Sequence, residues 1–174
     1  MILESLYFFL PGFIANASLP LFKKIKYLDF PLDFNIKSDK QNIIGKHKTF
    51  KGLILALIIS TVIFLFQKQA YLSGFKFGLI DYSNTNILLG VFMGAGIILG
   101  DLVKSFLKRK QRLSPGKAWI PFDQIDYTIG GLLLSSIIFL LNIYSWCIII
   151  FFGAILSPIF HYAGFILNVN KDKI

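Results

Sequence analysis

The longest uncharged stretch of the chain constrains its fold more than any other feature. From Tyr127 to Asn170, 44 consecutive residues contain no Asp, Glu, Lys or Arg. A single helix of that length would measure about 66 Å, roughly twice the hydrocarbon core of a bilayer. The stretch must therefore fold back on itself, and the polar interruption near its middle is Asn142-Ile143-Tyr144-Ser145. Two membrane-spanning helices are predicted here.

Three further uncharged stretches, residues 5–22, 52–67 and 82–100, predict one span each. The second is short, but Lys51 and Lys68 at its ends have side chains long enough to reach the interface. Charged residues make up 16% of the chain, against about 25% in a soluble domain. We therefore predict an all-α integral membrane protein, with five transmembrane helices in a single domain over residues 1–174. The composition excludes a disordered tail and most soluble enzymes, and the lone Cys147 excludes an internal disulfide.

The basic residues predict the orientation. Sixteen of the eighteen lie after the first or third predicted helix or in the C-terminal tail, and only Lys68 and Lys76 lie on the other side. By the positive-inside rule the N-terminus is outside and the C-terminus is cytoplasmic. Glu4 precedes the first hydrophobic stretch and the positive charge follows it. That stretch is thus predicted to remain as helix one instead of being a cleaved signal.

The basic loops have two interpretations, topology alone or binding of an anionic cytoplasmic ligand such as a polyphosphate or an acidic lipid headgroup. Nucleic acid is the least favoured ligand, because the loops lack interleaved aromatic residues. Residues 45–52, with Lys48 and Thr49 at the entry to a helix, are suited to binding phosphate oxygens. Their lysines are equally consistent with positive charge that only sets the topology of the adjacent span. They lack the first glycine of a Walker A loop.

Three aspartates occupy positions where a carboxylate is costly without a cation or a pore. Asp101 lies 16 residues after Thr85, or about 24 Å along a helix, near the cytoplasmic edge of the core. Asp123 and Asp126 lie at the entry to the fourth predicted helix, at the same edge. Such oxygen ligands suit Mg²⁺ with a nucleotide. In the alternative interpretation, the aspartates pair with nearby basic residues and cap the fourth helix.

Helical spacing adds basic and small residues to this region. Lys104, Ser105 and Lys108 follow Asp101 on one helix face, and Arg109 borders them. Gly90-x-x-x-Gly94 and Gly96-x-x-x-Gly100 are small-residue patterns, which favour close helix packing. The two histidines, His47 and His161, are far apart in the sequence and have no zinc-binding pattern.

Four short motifs resemble those of the CDP-archaeol synthase family, CTP-dependent membrane cytidylyltransferases related to phosphatidate cytidylyltransferase. They are Asn16-Ala17-Ser18-Leu19-Pro20, Lys48-Thr49-Phe50-Lys51-Gly52, the stretch 100–109 (GDLVKSFLKR) and Asp123-Gln124-Ile125-Asp126. The resemblance implies a five-helix inner-membrane enzyme with a cytoplasmic active site. The implied reaction transfers cytidylyl from CTP to a membrane lipid phosphate and releases pyrophosphate. Lys46-His47 departs from the more glycine- and aspartate-rich family pattern before the Lys-Thr motif.

The resemblance also implies roles for individual residues. Asp101, Asp123 and Asp126 hold Mg²⁺, and basic side chains neutralise the triphosphate and the lipid phosphate. Those basic side chains are Lys48, Lys104, Lys108 and Arg109. Thr49 and Ser105 add hydrogen bonds, and Asn16 and Ser18 lie near the site.

Several alternatives remain open at this point. The acceptor is either an archaetidic-acid-type ether lipid, 2,3-bis-O-geranylgeranylglycerol phosphate, or diacyl phosphatidic acid, because both present the same phosphate. A small cation transporter with Asp101 lining its path is a different class of function. A membrane adaptor with basic loops that recruit acidic partners is a third.

Overall fold

The computed structural model describes residues 1–22, 27–34, 36–38, 41–42, 44, 48–111, 113 and 119–166. Within them the regular secondary structure is helical, apart from one two-residue antiparallel strand pair and an isolated bridge between Pro31 and Thr49. The helices are α1 (Ile2–Phe8), α2 (Leu10–Ser18), a 3₁₀ turn (Leu19–Phe22), α3 (Phe50–Leu72), α4 (Leu88–Lys110), α5 (Phe122–Ser135) and α6 (Ile143–Ile166). The paired strands are β1 (Lys37–Ser38) and β2 (Gln41–Asn42).

Helix length identifies the membrane spans. Three helices, α3, α4 and α6, have 23, 23 and 24 residues and are apolar enough to cross a bilayer. Helix α1 and residues 10–22 together form a fourth candidate span, bent by 53°. With 14 residues, α5 is only about 21 Å long and falls short of a core of about 30 Å. The predicted all-α membrane fold is confirmed, whereas five spans and the orientation of the termini stay predictions.

The first predicted span differs from a straight helix because Pro11 interrupts it. Proline has no N–H to donate to the carbonyl of Tyr7 four residues earlier. The Nε2 of Gln67, on α3, donates to that oxygen instead, at 2.5 Å. Within a membrane a freed carbonyl requires such a partner, because water is not available. The bend and the position of α3 are therefore linked.

Glycines let α4 pack closely on both sides. A Cβ on Gly94 would lie 2.6 Å from the carbonyl oxygen of Ala56 in α3. A Cβ on Gly96 would collide with the carbonyl oxygen of Gly130 in α5, and one on Gly100 with that of Asp126. Gly94 and Gly96 lie about 200° apart around the helix, at roughly 100° per residue. The predicted small-residue packing is confirmed, and α4 lies between α3 and α5.

The long uncharged stretch folds back where the sequence predicts. Helix α5 ends at Ser135, and α6 begins at Ile143. The Oδ1 of Asn142 accepts a hydrogen bond from the backbone N–H of Ser145 at 2.9 Å. This bond satisfies one of the free amides in the first turn of α6. The polar interruption therefore starts the last helix.

Candidate active site

One lysine lies at the centre of the predicted acidic residues. The Nζ of Lys104 lies 3.0 Å from Oδ1 of Asp101, 3.2 Å from Oδ1 of Asp123 and 2.8 Å from Oδ2 of Asp126. Asp101 and Lys104 are three residues apart on α4, and Asp123 and Asp126 are three apart on α5. Each pair therefore shares one helix face, and the two faces meet.

Two further lysines complete the cluster. Both carboxylate oxygens of Asp123 accept hydrogen bonds from the Nζ of Lys108, each at 3.0 Å. Lys48, from the segment before α3, forms an ion pair with Asp101. We call these three aspartates and three lysines the charge cluster: Lys48, Asp101, Lys104, Lys108, Asp123 and Asp126.

The charge cluster is formally neutral but mostly withdrawn from water. The side chains of Lys104 and Asp126 are only 15% and 8% exposed. Burying ions costs several kcal/mol each, and pairing alone rarely repays that cost fully. Ionisable residues at membrane depth therefore commonly mark a functional site. The cluster is a candidate site on geometry and burial together.

The alternative interpretation of the aspartates is also visible in the structure. Asp123 pairs with lysines, and its Oδ2 accepts a hydrogen bond from the backbone N–H of Trp119 at 2.5 Å. The backbone N–H of Asp123 in turn donates to the carbonyl of Trp119 at 3.0 Å. This reciprocal pairing fixes the start of α5, so Asp123 has a structural role as well as its place in the charge cluster.

The position of Lys48 depends on a segment that sequence reasoning did not single out. The N–H of Leu32 donates to the carbonyl of Lys48 at 2.7 Å, and the N–H of Phe50 donates to the carbonyl of Phe30 at 2.9 Å. Thr49 caps α3, because its Oγ1 accepts from the N–H of Gly52 at 3.3 Å. These bonds hold Lys48 at the entry to α3.

An acidic residue in this segment supports the same entry. Oδ1 of Asp29 lies 2.9 Å from Nζ of Lys51. The only sequence signal for this contact is one aspartate in a lysine-rich loop, which is weak evidence for a specific pair.

Three further predicted residues, Ser105, Arg109 and Ser18, lie on α4 and α2. Ser105 is buried on α4 beside Lys104. The Nη1 of Arg109 donates a hydrogen bond to the carbonyl of Leu113, beyond the end of α4, at 2.5 Å. The hydroxyl of Ser18 donates to the carbonyl of Ala15 within α2 at 2.9 Å. Arg109 and Ser18 thus bind local backbone.

Asn16 lies in α2, which packs beside α5. A Cβ on Gly131 of α5 would contact the ring of Phe9, and the ring of Phe13 lies 6.5 Å from that of Tyr127. These contacts place α2 beside α5, and Asn16 follows Phe13 by three residues in α2.

Several basic residues of the predicted cytoplasmic loops and C-terminal tail, together with His47, lie outside the described residues. They are Lys23, Lys24, Lys26, Lys40, Lys46, Arg112, Lys117, Lys171 and Lys173.

An apolar cleft of about 260 Å³ between α4 and α5 leads to the charge cluster. The charged residues in its lining are Lys104 and Asp126. Its other walls include Val103, Phe122 and Leu133, whose side chains are exposed on the outer surface of the bundle. This surface is apolar, and α4 is one of the candidate spans, so the cleft opens on a face of the bundle that is suited to contact with lipid.

The aspartates have the donor chemistry for a hard cation. Carboxylate oxygens are the ligands that Mg²⁺ prefers, and their common neighbour in this structure is already a cation, the ammonium of Lys104. Among the described residues, no group of three His, Cys, Asp or Glu side chains is arranged to hold a metal ion. The donor types fit Mg²⁺, and the arrangement shown is centred on lysine.

Comparison with known proteins gives one consistent result. A CarS-like CDP-archaeol synthase family model matches residues 1–172. The chain is 32% identical over 142 residues to the CDP-archaeol synthase of Methanocaldococcus jannaschii, covering 79% of this chain and 77% of the relative. It is 29% identical over 171 residues to that of Sulfolobus acidocaldarius, covering 98% and 96%.

A solved structure has the same fold. It is described as an intramembrane enzyme for archaeal membrane lipids biosynthesis, and its alignment with this chain covers 95% of both chains. The TM-score is 0.66 at 24% sequence identity. The resemblance seen in the four short motifs is thus confirmed along nearly the whole chain. The chain belongs to the CDP-archaeol synthase family and is an enzyme.

Proposed function

We propose that this protein transfers the cytidylyl group of CTP to an archaetidic-acid-type lipid phosphate. An oxygen of the lipid phosphate attacks the α-phosphorus of CTP and forms a new P–O bond. The bond between the α-phosphorus and its bridging oxygen to the β-phosphate breaks, and pyrophosphate leaves. The products are a CDP-archaeol-type lipid and pyrophosphate. Family membership supports the enzyme over the transporter and adaptor alternatives.

The observation that carries the proposal is the position of Lys104 at the meeting point of the charge cluster and the apolar cleft. The attacking phosphate is already an anion, so the reaction does not need a strong base. It needs cationic groups that suppress repulsion between phosphates and stabilise the charge on the leaving group. Lys104 and Lys108 on α4 converge with Lys48 from the segment before α3, and they are suited to that task.

The apolar cleft suits the lipid substrate. A phosphate near Lys104 would leave the hydrocarbon chains between α4 and α5 and in the bilayer, so the lipid need not be extracted. The names of the archaeal relatives favour the ether-linked acceptor. Phosphatidic acid is the second candidate, because it presents the same phosphate to the same lysines.

Mg²⁺ is the proposed cofactor, with Asp101, Asp123 and Asp126 as its ligands. When bound, it would neutralise triphosphate charge and orient the leaving group. The lysines of the charge cluster and the hydroxyl of Thr49 bind phosphate oxygens in the same proposal. Asn16 and Ser105 border the nucleotide in the same proposal.

We further propose five membrane crossings, with the N-terminus outside and the charge cluster facing the cytoplasm, in the cell membrane. Helix α5 starts at the charge cluster, whereas Ser145 at the start of α6 bonds to Ser5 near the beginning of the chain at 3.1 Å. Residues 123–145 therefore lead from one end of the bundle to the other. Helix α5 and residues 136–142 together would make the fourth crossing.

Two CTP preparations test the reaction, one labelled at the α-phosphate and one at the γ-phosphate. With purified protein, Mg²⁺ and the archaetidic-type phosphate, the α-label should enter the lipid fraction and the γ-label should appear in pyrophosphate. Parallel reactions with phosphatidic acid and without lipid identify the acceptor. Retention of both labels in CTP, by folded protein with either lipid, would refute the proposal.

A further inference from the structure

Residues 27–34 expose aromatic side chains at the end of the bundle that carries the charge cluster. Tyr27, Phe30 and Phe34 are 76%, 72% and 75% exposed. We call residues 27–34 the aromatic segment. Three large rings exposed together on one short loop segment form an apolar patch, and such a patch commonly marks an interaction surface.

The aromatic segment is fixed to the start of α3. The N–H of Lys51 donates to the carbonyl of Leu28 at 3.0 Å, in addition to the backbone bonds that join Phe30 and Leu32 to residues 48–50. Leu28 and Phe34 adopt left-handed backbone conformations, with φ of 54° and 49°. Residues other than glycine rarely adopt this conformation, so the contacts around the segment must stabilise the backbone at Leu28 and Phe34.

The aromatic segment is continuous with the lipid-facing surface of α3. The ring of Phe34 lies 5.5 Å from that of Phe50, the first residue of this span. Further along α3, Ile54, Ile58 and Val62 are exposed and apolar, as expected for side chains in contact with lipid. A ring beside Phe50 therefore lies at the end of this candidate span. Aromatic side chains are enriched at that level of membrane proteins.

The charge around the aromatic segment suits an anionic surface. Asp29 is paired with Lys51, and the buried Asp33 accepts a hydrogen bond from the N–H of Ile44 at 3.2 Å. In the sequence the segment is preceded by Lys23, Lys24 and Lys26 and followed by Lys37 and Lys40. Basic residues beside a membrane span are attracted to acidic lipids.

We propose that the aromatic segment is seated in the lipid headgroup layer on the side of the charge cluster, with Tyr27, Phe30 and Phe34 inserted among anionic lipids. Because the same segment is bonded to Lys48 and Phe50, its seating fixes the height of Lys48 at the membrane surface. The inference rests on the membrane fold and is independent of the proposed reaction.

Site-specific fluorescence tests the inference in proteoliposomes. The lone Cys147 is replaced by alanine, and an environment-sensitive NBD label is attached to Phe30→Cys or to Phe34→Cys. Gln111→Cys is the matched control, since Gln111 is exposed beyond the charge cluster at the end of α4. The bilayers contain phosphatidylglycerol with a shallow spin-labelled lipid, and iodide is equilibrated on both sides. Tyr27→Cys replaces Phe34→Cys if loss of the contact with Phe50 prevents folding.

The inference predicts that the labels at positions 30 and 34 are quenched by the spin-labelled lipid. Their iodide quenching constants should be at least threefold below that at position 111. Iodide quenching equal to that at position 111 would overturn the inference, because the segment would then lie in water. Protection from both quenchers would also overturn it, because protein, such as a second copy of the chain, would cover the segment.

Discussion

The Nζ of Lys104 lies 2.8 Å from Oδ2 of Asp126, across the interface between α4 and α5. This contact depends on the close approach of the two helices. Gly100 is the residue before Asp101, and a Cβ there would collide with the carbonyl oxygen of Asp126. Helix packing and the geometry of the charge cluster are therefore set by the same few residues.

Gly100→Ala should damage both stability and activity. The added methyl group would meet backbone, which cannot turn aside, so α4 and α5 must separate. We expect a loss of about 1 to 3 kcal/mol in stability, together with a loss of turnover, because the lysines and aspartates move apart. Thermal unfolding in detergent and the turnover of CTP measure the two effects.

Gly52→Ala is the matched control for stability. A Cβ at Gly52 would make only an ordinary contact, 3.8 Å from Oγ1 of Thr49. It should leave the unfolding temperature unchanged or slightly raised, since alanine favours helix. If Gly100→Ala were as stable as Gly52→Ala, the close packing of α4 on α5 would be wrong.

Lys104→Met should abolish turnover and destabilise the protein. It would leave Asp101, Asp123 and Asp126 close together without their shared cation. Breaking a buried pair in this way typically costs about 3 to 5 kcal/mol. We expect turnover to fall at least about 100-fold, as for the loss of one electrostatic contact in a transition state.

A second substitution separates the effect on stability from the effect on catalysis. Adding Asp126→Asn to Lys104→Met should restore part of the stability, because one negative charge is removed, but should not restore turnover. Lys104→Arg should also be inactive, since a planar guanidinium does not fit the position of an ammonium with three carboxylate neighbours. Full turnover by Lys104→Arg would indicate that only the number of charges matters.

Neutralising the aspartates one at a time tests their proposed role with Mg²⁺. Asp101→Asn and Asp126→Asn should lower turnover at least about 100-fold, because the cationic groups and the metal lose their acceptors. Asp81→Asn is the control, because Asp81 is exposed on the loop between α3 and α4, at the opposite end of the bundle. Folding is checked by elution as a single species. Undiminished turnover in both site variants would remove these residues from the site.

The hydrogen bond between Gln67 and Tyr7 should be coupled to Pro11. Gln67→Leu leaves the carbonyl of Tyr7 without its side-chain donor and should cost about 1 to 3 kcal/mol. In a Pro11→Ala background the cost should be smaller, because alanine supplies the missing N–H. A double-mutant cycle by thermal unfolding measures this coupling.

Ser60→Ala provides the comparison for that cycle. Ser60 is buried on α3, and its hydroxyl has no hydrogen-bond partner among the described residues. Its removal should be close to neutral in either background. Equal costs of Gln67→Leu with and without Pro11 would show that the bend and the glutamine are independent.

Much of the site was predictable because its parts follow helical periodicity. Asp101 and Lys104 share a helix face by spacing alone, as do Asp123 and Asp126. Their similar depth was predictable because Asp101 directly follows one uncharged stretch and Asp126 directly precedes another. The fold-back before Ile143 was predictable because 44 uncharged residues exceed one crossing.

Other features depend on contacts between distant parts of the chain. The backbone pairing of residues 28–32 with residues 48–51 has no periodic signal, because it joins two irregular segments. The hydrogen bond from Gln67 to the carbonyl of Tyr7, beside the bend, joins residues 60 positions apart in the sequence. Helix α5 is shorter than the predicted span, because regular helix ends at Ser135, before the chain reaches Asn142. These features follow from tertiary packing and not from local pattern.

The most direct test of the central claim is pyrophosphate release by the purified protein with CTP and Mg²⁺. The archaetidic-type phosphate, phosphatidic acid and a lipid-free control are compared in parallel. The account predicts release that requires a lipid phosphate, is fastest with the ether-linked lipid and is lost in Lys104→Met. Folded protein that releases no pyrophosphate with either lipid, or releases it equally without lipid, would contradict the account.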